Sequence, residues 1–230
     1  MAKVSVLRKI AQLAATFLTT SLALVAGSLL APNALAADDG ATITYQRVFK
    51  DSKPEFIEIK VRDDGHATYD IRQLADEADP QPLEMSPALR EKIFQFADQL
   101  HDFENVDFDV HRKMAQLGQK TFRYEKGSAM HETKFNYTLN RDASQLEMIF
   151  EGLAQQQEDS LKLDEKLRYD HLGINDALRE FESDLDRHLL PEPQRFLPVL
   201  DRIAGNPQLV DIARQRARAI AERIRTSTPN

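Results

Sequence analysis

The sequence predicts an α+β fold: an antiparallel sheet of about five strands (two hairpins plus one strand), covered by two helices and followed by a helical C-terminal region. Three observations lead there. Apolar and polar residues alternate on both sides of Asp64-Gly65, and a second alternating pair brackets Lys126-Gly127-Ser128. From about Glu158 onward only helical spacing remains.

Residues 1–36 stand apart from this pattern. Lys3, Arg8 and Lys9 form a basic start, an apolar run extends from about Ile10 to Ala31, and Pro32 leads into Ala34-Leu35-Ala36 ahead of Ala37-Asp38-Asp39. Charge, apolar segment, small-X-small site and an acidic start are what a signal peptidase requires. We therefore expect a signal peptide over 1–36, cleavage between Ala36 and Ala37, and a periplasmic or secreted product. The competing reading is an uncleaved anchor, since the run is nearly long enough to span a bilayer. Thr19, Thr20 and Ser21 in its middle weaken that reading. The expected organisation is then 1–36 signal, 37–157 sheet-and-helix domain, and 158–230 a helical region packed on it.

Each element has its own signal. The run from Ile43 to Phe49 supplies the single strand. Ile57, Ile59 and Val61 alternate with Glu58 and Lys60, and Ala67, Tyr69 and Ile71 alternate beyond Asp64-Gly65, a pair whose residues both tolerate positive φ in a tight turn. Ser86-Pro87 gives an N-cap and a first-turn proline, after which Leu89, Ile93, Phe96 and Leu100 share a helix face. The second hairpin reads from Thr121 to Thr138, with Phe122 and Tyr124 on one arm and Phe135 and Tyr137 on the other. Leu146, Ile149, Phe150 and Leu153 mark the second covering helix. Ile174, Leu178, Phe181, Leu185 and Leu189 form a third stripe, starting near Asn175-Asp176. Pro191 and Pro193 punctuate it, and Phe196, Leu197, Leu200 and Ile203 open a shorter helix. Gly205-Asn206-Pro207 is expected to stop that helix and cap the last one, which runs to about Thr226.

Composition narrows the chemistry. The chain has no cysteine, which excludes disulfides, thiolate nucleophiles and Cys-ligated zinc. Without residues 1–36, 27 basic residues face 37 acidic ones, a formal charge of −10. Nucleic acid is thus not an expected partner, because phosphate contacts need a basic surface. No Gly-x-Ser-x-Gly, His-Glu-x-x-His or glycine-rich phosphate loop occurs.

Two groups of residues merit attention as sites. In Asp107-Phe108-Asp109-Val110-His111, an extended backbone would point Asp107, Asp109 and His111 to one side, where they could hold a divalent ion. The plainer reading is a solvated edge or loop, since charge on an edge strand blocks unwanted pairing. No second ligand cluster supports the site, and no cofactor is expected. The second group lies in the last helix, where five arginines and one glutamate fall between Ile212 and Arg225. Arg214, Arg218 and Arg225 form one flank of the stripe Leu209, Ala213, Ala217, Ile220 and Ile224, and Arg216 and Arg223 form the other. The flank is a candidate partner-binding surface. Splitting the charge across two sides instead favours docking of the helix on the chain's own body. The sequence as a whole suits an exported, non-enzymatic binding protein whose partner is another protein or envelope material. A hydrolase using carboxylates or a weak metal site between Asp102 and His111 is the alternative.

Overall fold

The computed structural model describes residues 40–227, so the expected signal segment and its cleavage point lie outside the described residues. Among these residues no helix is long and apolar enough to cross a membrane. The described residues form a six-stranded antiparallel sheet and five α-helices, an α+β architecture with a helical C-terminal region.

Strands β1 (Thr42–Val48), β2 (Phe56–Arg62) and β3 (Ala67–Arg72) are followed by a two-residue β4 (Gln81–Pro82), which the sequence pattern is too short to reveal. Helix α1 (Pro87–Gln99) leads into a short 3₁₀ turn (His101–Phe103), and β5 (Gln119–Lys126) and β6 (Ala129–Phe135) form the second hairpin. The sheet order is β4-β3-β2-β1-β5-β6, so β1 joins the two hairpins at the centre. Register follows from the period of two: Tyr45 lies opposite both Ile59 and Phe122, and all three face one side.

The first hairpin is real but its turn differs from expectation. The Arg62 N–H donates to the His66 carbonyl at 2.8 Å and the Gly65 N–H to the Arg62 carbonyl at 3.1 Å. Only Gly65 of the pair takes positive φ, at 103°. The result is a three-residue loop closed by a left-handed glycine, the next commonest hairpin connection after the two-residue turn.

Helix α1 begins as its sequence dictates, with the Ser86 hydroxyl accepting the Leu89 N–H at 3.1 Å. Helix α2 (Arg141–Tyr169) is 29 residues long and is capped by Asn140, whose side chain accepts from Asp142 and Ala143. It links two apolar clusters. Its Ala143, Leu146, Phe150 and Leu153 pack with α1 on the sheet, where Tyr45 stacks on Phe150 at 5.1 Å. Its Leu163 belongs to the second cluster, made with α3 (Ile174–Asp186), α4 (Leu197–Gly205) and α5 (Asp211–Thr226). Position 157/158 therefore falls inside a continuous helix, and both layers hang on that one rod.

Asn206 is the C-cap of α4, so the helix stops where expected, but its side chain accepts the Gln208 N–H at 3.0 Å in a local turn and does not cap the next helix. Helix α5 starts later than Pro207 suggests, with Val210 at its N-cap and Asp211 in its first turn.

Candidate functional site

Along the middle of α2, Gln157, Ser160 and Asp164 are spaced by three and four residues and share a face, with Gln156 beside them. Opposite them stand Arg195 and Phe196, from a 3₁₀ turn (Pro193–Phe196), and Pro198, Val199 and Arg202 of α4. Pro82 and Glu84 close one end, leaving an open cleft of about 460 Å³. Arg202 donates to Asp164 at 2.7 Å, and Arg195 is ion-paired with Glu84. Phe196 is buried below, so the cleft combines an apolar side with amides and paired charges.

The walls are fixed from beneath. Buried Gln156 accepts the Glu192 N–H at 3.0 Å, and the Glu192 carboxylate accepts the Ser86 N–H at 3.0 and 3.2 Å. A carboxylate from 106 residues away thus takes the place that the third residue of a helix fills in a capping box. It also sets a negative charge at the N-terminus of α1, where the helix dipole favours it. At Gly152, α2 passes so close to the 189–191 segment that an added Cβ would lie 2.4 Å from the Leu189 carbonyl oxygen.

A second polar group lies between the sheet and α2. The Tyr45 hydroxyl donates to Glu151, which also takes the Arg47 guanidinium at 2.8 Å. Buried Lys120 pairs with Glu147 at 3.1 Å and donates to the Asn136 carbonyl at 2.8 Å. Burial pushes the Tyr45 hydroxyl well above its ordinary range and raises Glu147, the latter opposed by Lys120. Glu147 and Glu151 are one helical turn apart and each is met by a cation from the sheet, an arrangement that fixes α2 over β1 and β5.

Asp107, Asp109 and His111 come together, but not on a strand. The Asp109 N–H donates to Asp107 and the His111 N–H to Asp109, each at 3.0 Å, in successive side-chain turns. His111 Nε2 then lies 2.6 Å from Asp107 and Nδ1 3.2 Å from Asp109. The hydrogen bond from Asp107 raises His111, and the same bond lowers Asp107; the Asn136 backbone N–H is the main cause lowering Asp109. The three side chains thus satisfy one another at the protein surface as an ion-paired loop. Among the described residues no group of three His, Cys, Asp or Glu side chains is arranged to hold a metal ion.

The arginines of α5 are largely engaged by the body of the protein. Arg216 and Arg223 pair with Glu182 of α3 at 2.6 and 3.0 Å, and Arg223 also pairs with Asp186. Arg225 reaches Asp201 of α4 at 2.6 Å, Arg214 pairs with Asp211 at 2.8 Å, and Arg218 donates to the Ala204 carbonyl at 3.5 Å. Between the flanks, Leu209, Ala213, Ala217, Ile220 and Ile224 are all buried. The helix is therefore docked within the fold, along both the α3 and α4 stripes.

The cleft escaped the sequence reading because its residues come from three separate stretches and form no motif. The three-residue spacing of the uncharged polar Gln157 and Ser160 is the one local hint. No protein-family model matches the chain, and no curated protein matches it.

Proposed function

We propose that the chain is an exported binding protein that takes a segment of another macromolecule, protein or envelope material, into the cleft between α2 and α4. One observation carries the reading. The cleft joins an apolar side to two arginines whose acidic partners, Glu84 and Asp164, are themselves solvent-accessible. Exposed ion pairs contribute only ~0–1 kcal/mol, so opening them to receive polar groups of a partner costs little. The rigid support from Gln156, Glu192 and Gly152 favours binding further, because a preformed site loses less entropy on occupation. The alternative is a hydrolase using carboxylates or a weak metal site between Asp102 and His111, where Asp107 and Asp109 are already engaged by His111 and by backbone N–H groups.

Ser160→Trp tests the proposal by filling the cleft from the partly exposed face of α2. The tagged protein and this variant are used as baits against native envelope extract, with thermal midpoints measured alongside. The expected result is a partner retained by the parent and lost from an equally stable variant. Equal retention by both would remove the cleft from the account.

A further inference from the structure

Gln156 is only 2% exposed, and it lines the cleft. Its side-chain oxygen accepts the Glu192 N–H at 3.0 Å. A backbone N–H can only donate, so this bond fixes which end of the amide is oxygen and leaves Nε2 as a donor. Among the described residues no acceptor meets that Nε2. Gln157 and Ser160 line the same cleft, and their side chains likewise have no hydrogen-bond partner among the described residues. A donor held this deep in a wall and left unpaired is costly, and an acceptor brought by a ligand removes the cost.

The surroundings decide which kind of acceptor fits. Arg195 and Arg202 are already taken by Glu84 and Asp164, and Glu192, whose N–H holds Gln156, carries a further carboxylate. The cleft thus has no free positive charge to offer an anion, and a neutral amide carbonyl is the acceptor it suits. A helix has its carbonyls paired internally, whereas an extended chain presents them unpaired on both sides. Four residues of α2 advance about 6 Å from Gln156 to Ser160, and carbonyls on one side of an extended chain recur about every 6.6 Å. Two such carbonyls therefore match the Gln156 amide and the Ser160 hydroxyl. Sugar rings, by contrast, stack on exposed aromatic faces, and the aromatic ring of this lining, Phe196, is buried.

Resting on the cleft reading above, we propose that the partner is a polypeptide that lies extended along α2, with a main-chain carbonyl accepting from Gln156 Nε2. The next carbonyl on the same side takes the Ser160 hydroxyl. An apolar side chain of the segment seats on Pro198 and Val199 across the cleft. Recognition then reads an exposed backbone and an apolar side chain, not a charge and not a folded surface. Binding of this kind is nearly independent of salt, because screening acts on charges.

An array of immobilised random decapeptides, with chitohexaose as a glycan that carries amide carbonyls, tests the proposal on the purified protein. The parent should retain a subset of the peptides and no chitohexaose, with affinities that change less than about twofold between low and high salt. In the best-retained peptide, an ester in place of each amide in turn weakens that carbonyl as an acceptor. One position should lose about three- to tenfold in affinity, the worth of one hydrogen bond. N-methylation of the same bond, which keeps the carbonyl, should not. Gln156→Glu keeps an oxygen for the Glu192 N–H but removes the donor, and should weaken the same peptide about tenfold with unchanged circular dichroism. The ester scan reads the contact without altering the protein, so the test survives a variant that misfolds. No retained peptide, chitohexaose retained instead, or a peptide that no ester weakens would overturn the proposal. In each case, capture of an envelope partner that Ser160→Trp abolishes would still uphold the cleft itself, so the two readings fail separately.

Discussion

Replacing Asp159 by asparagine should stabilise the protein more at pH 8 than at pH 5. Asp159 lies on α2 facing α3 and is only 5% exposed. One carboxyl oxygen accepts from the Gln155 amide at 3.2 Å, and that amide also donates to Asp184 of α3 at 3.1 Å. The other oxygen is buried with no partner. Burial pushes the carboxyl from 3.8 up to about 7; the Gln155 hydrogen bond opposes this, Asp184 and Glu158 add to it, and Lys162 opposes it. The sign follows from linkage. With the folded value above the unfolded one, the native state holds a proton that the unfolded chain has released. Stability from this group is therefore complete below the unfolded value and is lost as pH rises from about 4 to about 7. A difference of about three pH units sets an upper limit of ~4 kcal/mol, and relaxation of the α2–α3 seam will lower it. Asn keeps the shape and the amide contact but cannot ionise. Thermal denaturation of parent and variant at both pH values is the assay, and each kcal/mol corresponds to roughly 2–4 °C in a domain of this size. The difference between the two midpoints should be several degrees larger at pH 8 than at pH 5. An equal difference at both would refute the claim that a neutral Asp159 supports this seam.

Further substitutions probe how the layers are joined. Gly152→Ala drives a methyl group against the Leu189 carbonyl and Pro191, so it should cost ~1–3 kcal/mol, seen as a lower urea midpoint with an unchanged slope. Ile220→Asp puts an unpaired charge in the sealed seam of α5 and should cost about 3 kcal/mol or more, whereas Arg214→Glu and Arg218→Glu, on the flank, should each move the thermal midpoint by no more than a few degrees.

The fold was legible wherever periodicity was long enough to be unambiguous. Ile57, Ile59 and Val61 read as an inward strand face and are buried, and the stripe of α5, whose arginine flanks also suited a partner surface, is buried as a seam. Turn chemistry was less secure: Asp64-Gly65 suits both a two-residue turn and a three-residue loop, and the choice rests on Arg62 and His66. Strand β4 was invisible because two residues carry no period. Asp107, Asp109 and His111 were expected on one side of an extended segment; they meet instead through successive side-chain turns and bond to one another. The buried partners Gln156–Glu192 and Lys120–Glu147 could not be read at all. Each joins residues distant in sequence, and a polar residue on a helix reads as solvated until the element opposite it is known.

The central claim is that the α2–α4 cleft is the surface that meets a partner, and a photo-crosslinking side chain at Gln157 tests it most directly. Gln157 lines the cleft, whereas Lys60 lies on the open outer face of the sheet and serves as the control position. The protein carrying the probe at either position is expressed in its native setting, irradiated and resolved by mass. The account predicts a discrete adduct from position 157 that Ser160→Trp abolishes, and none from position 60. An adduct from position 60 alone, or one from 157 that survives Ser160→Trp, would contradict it.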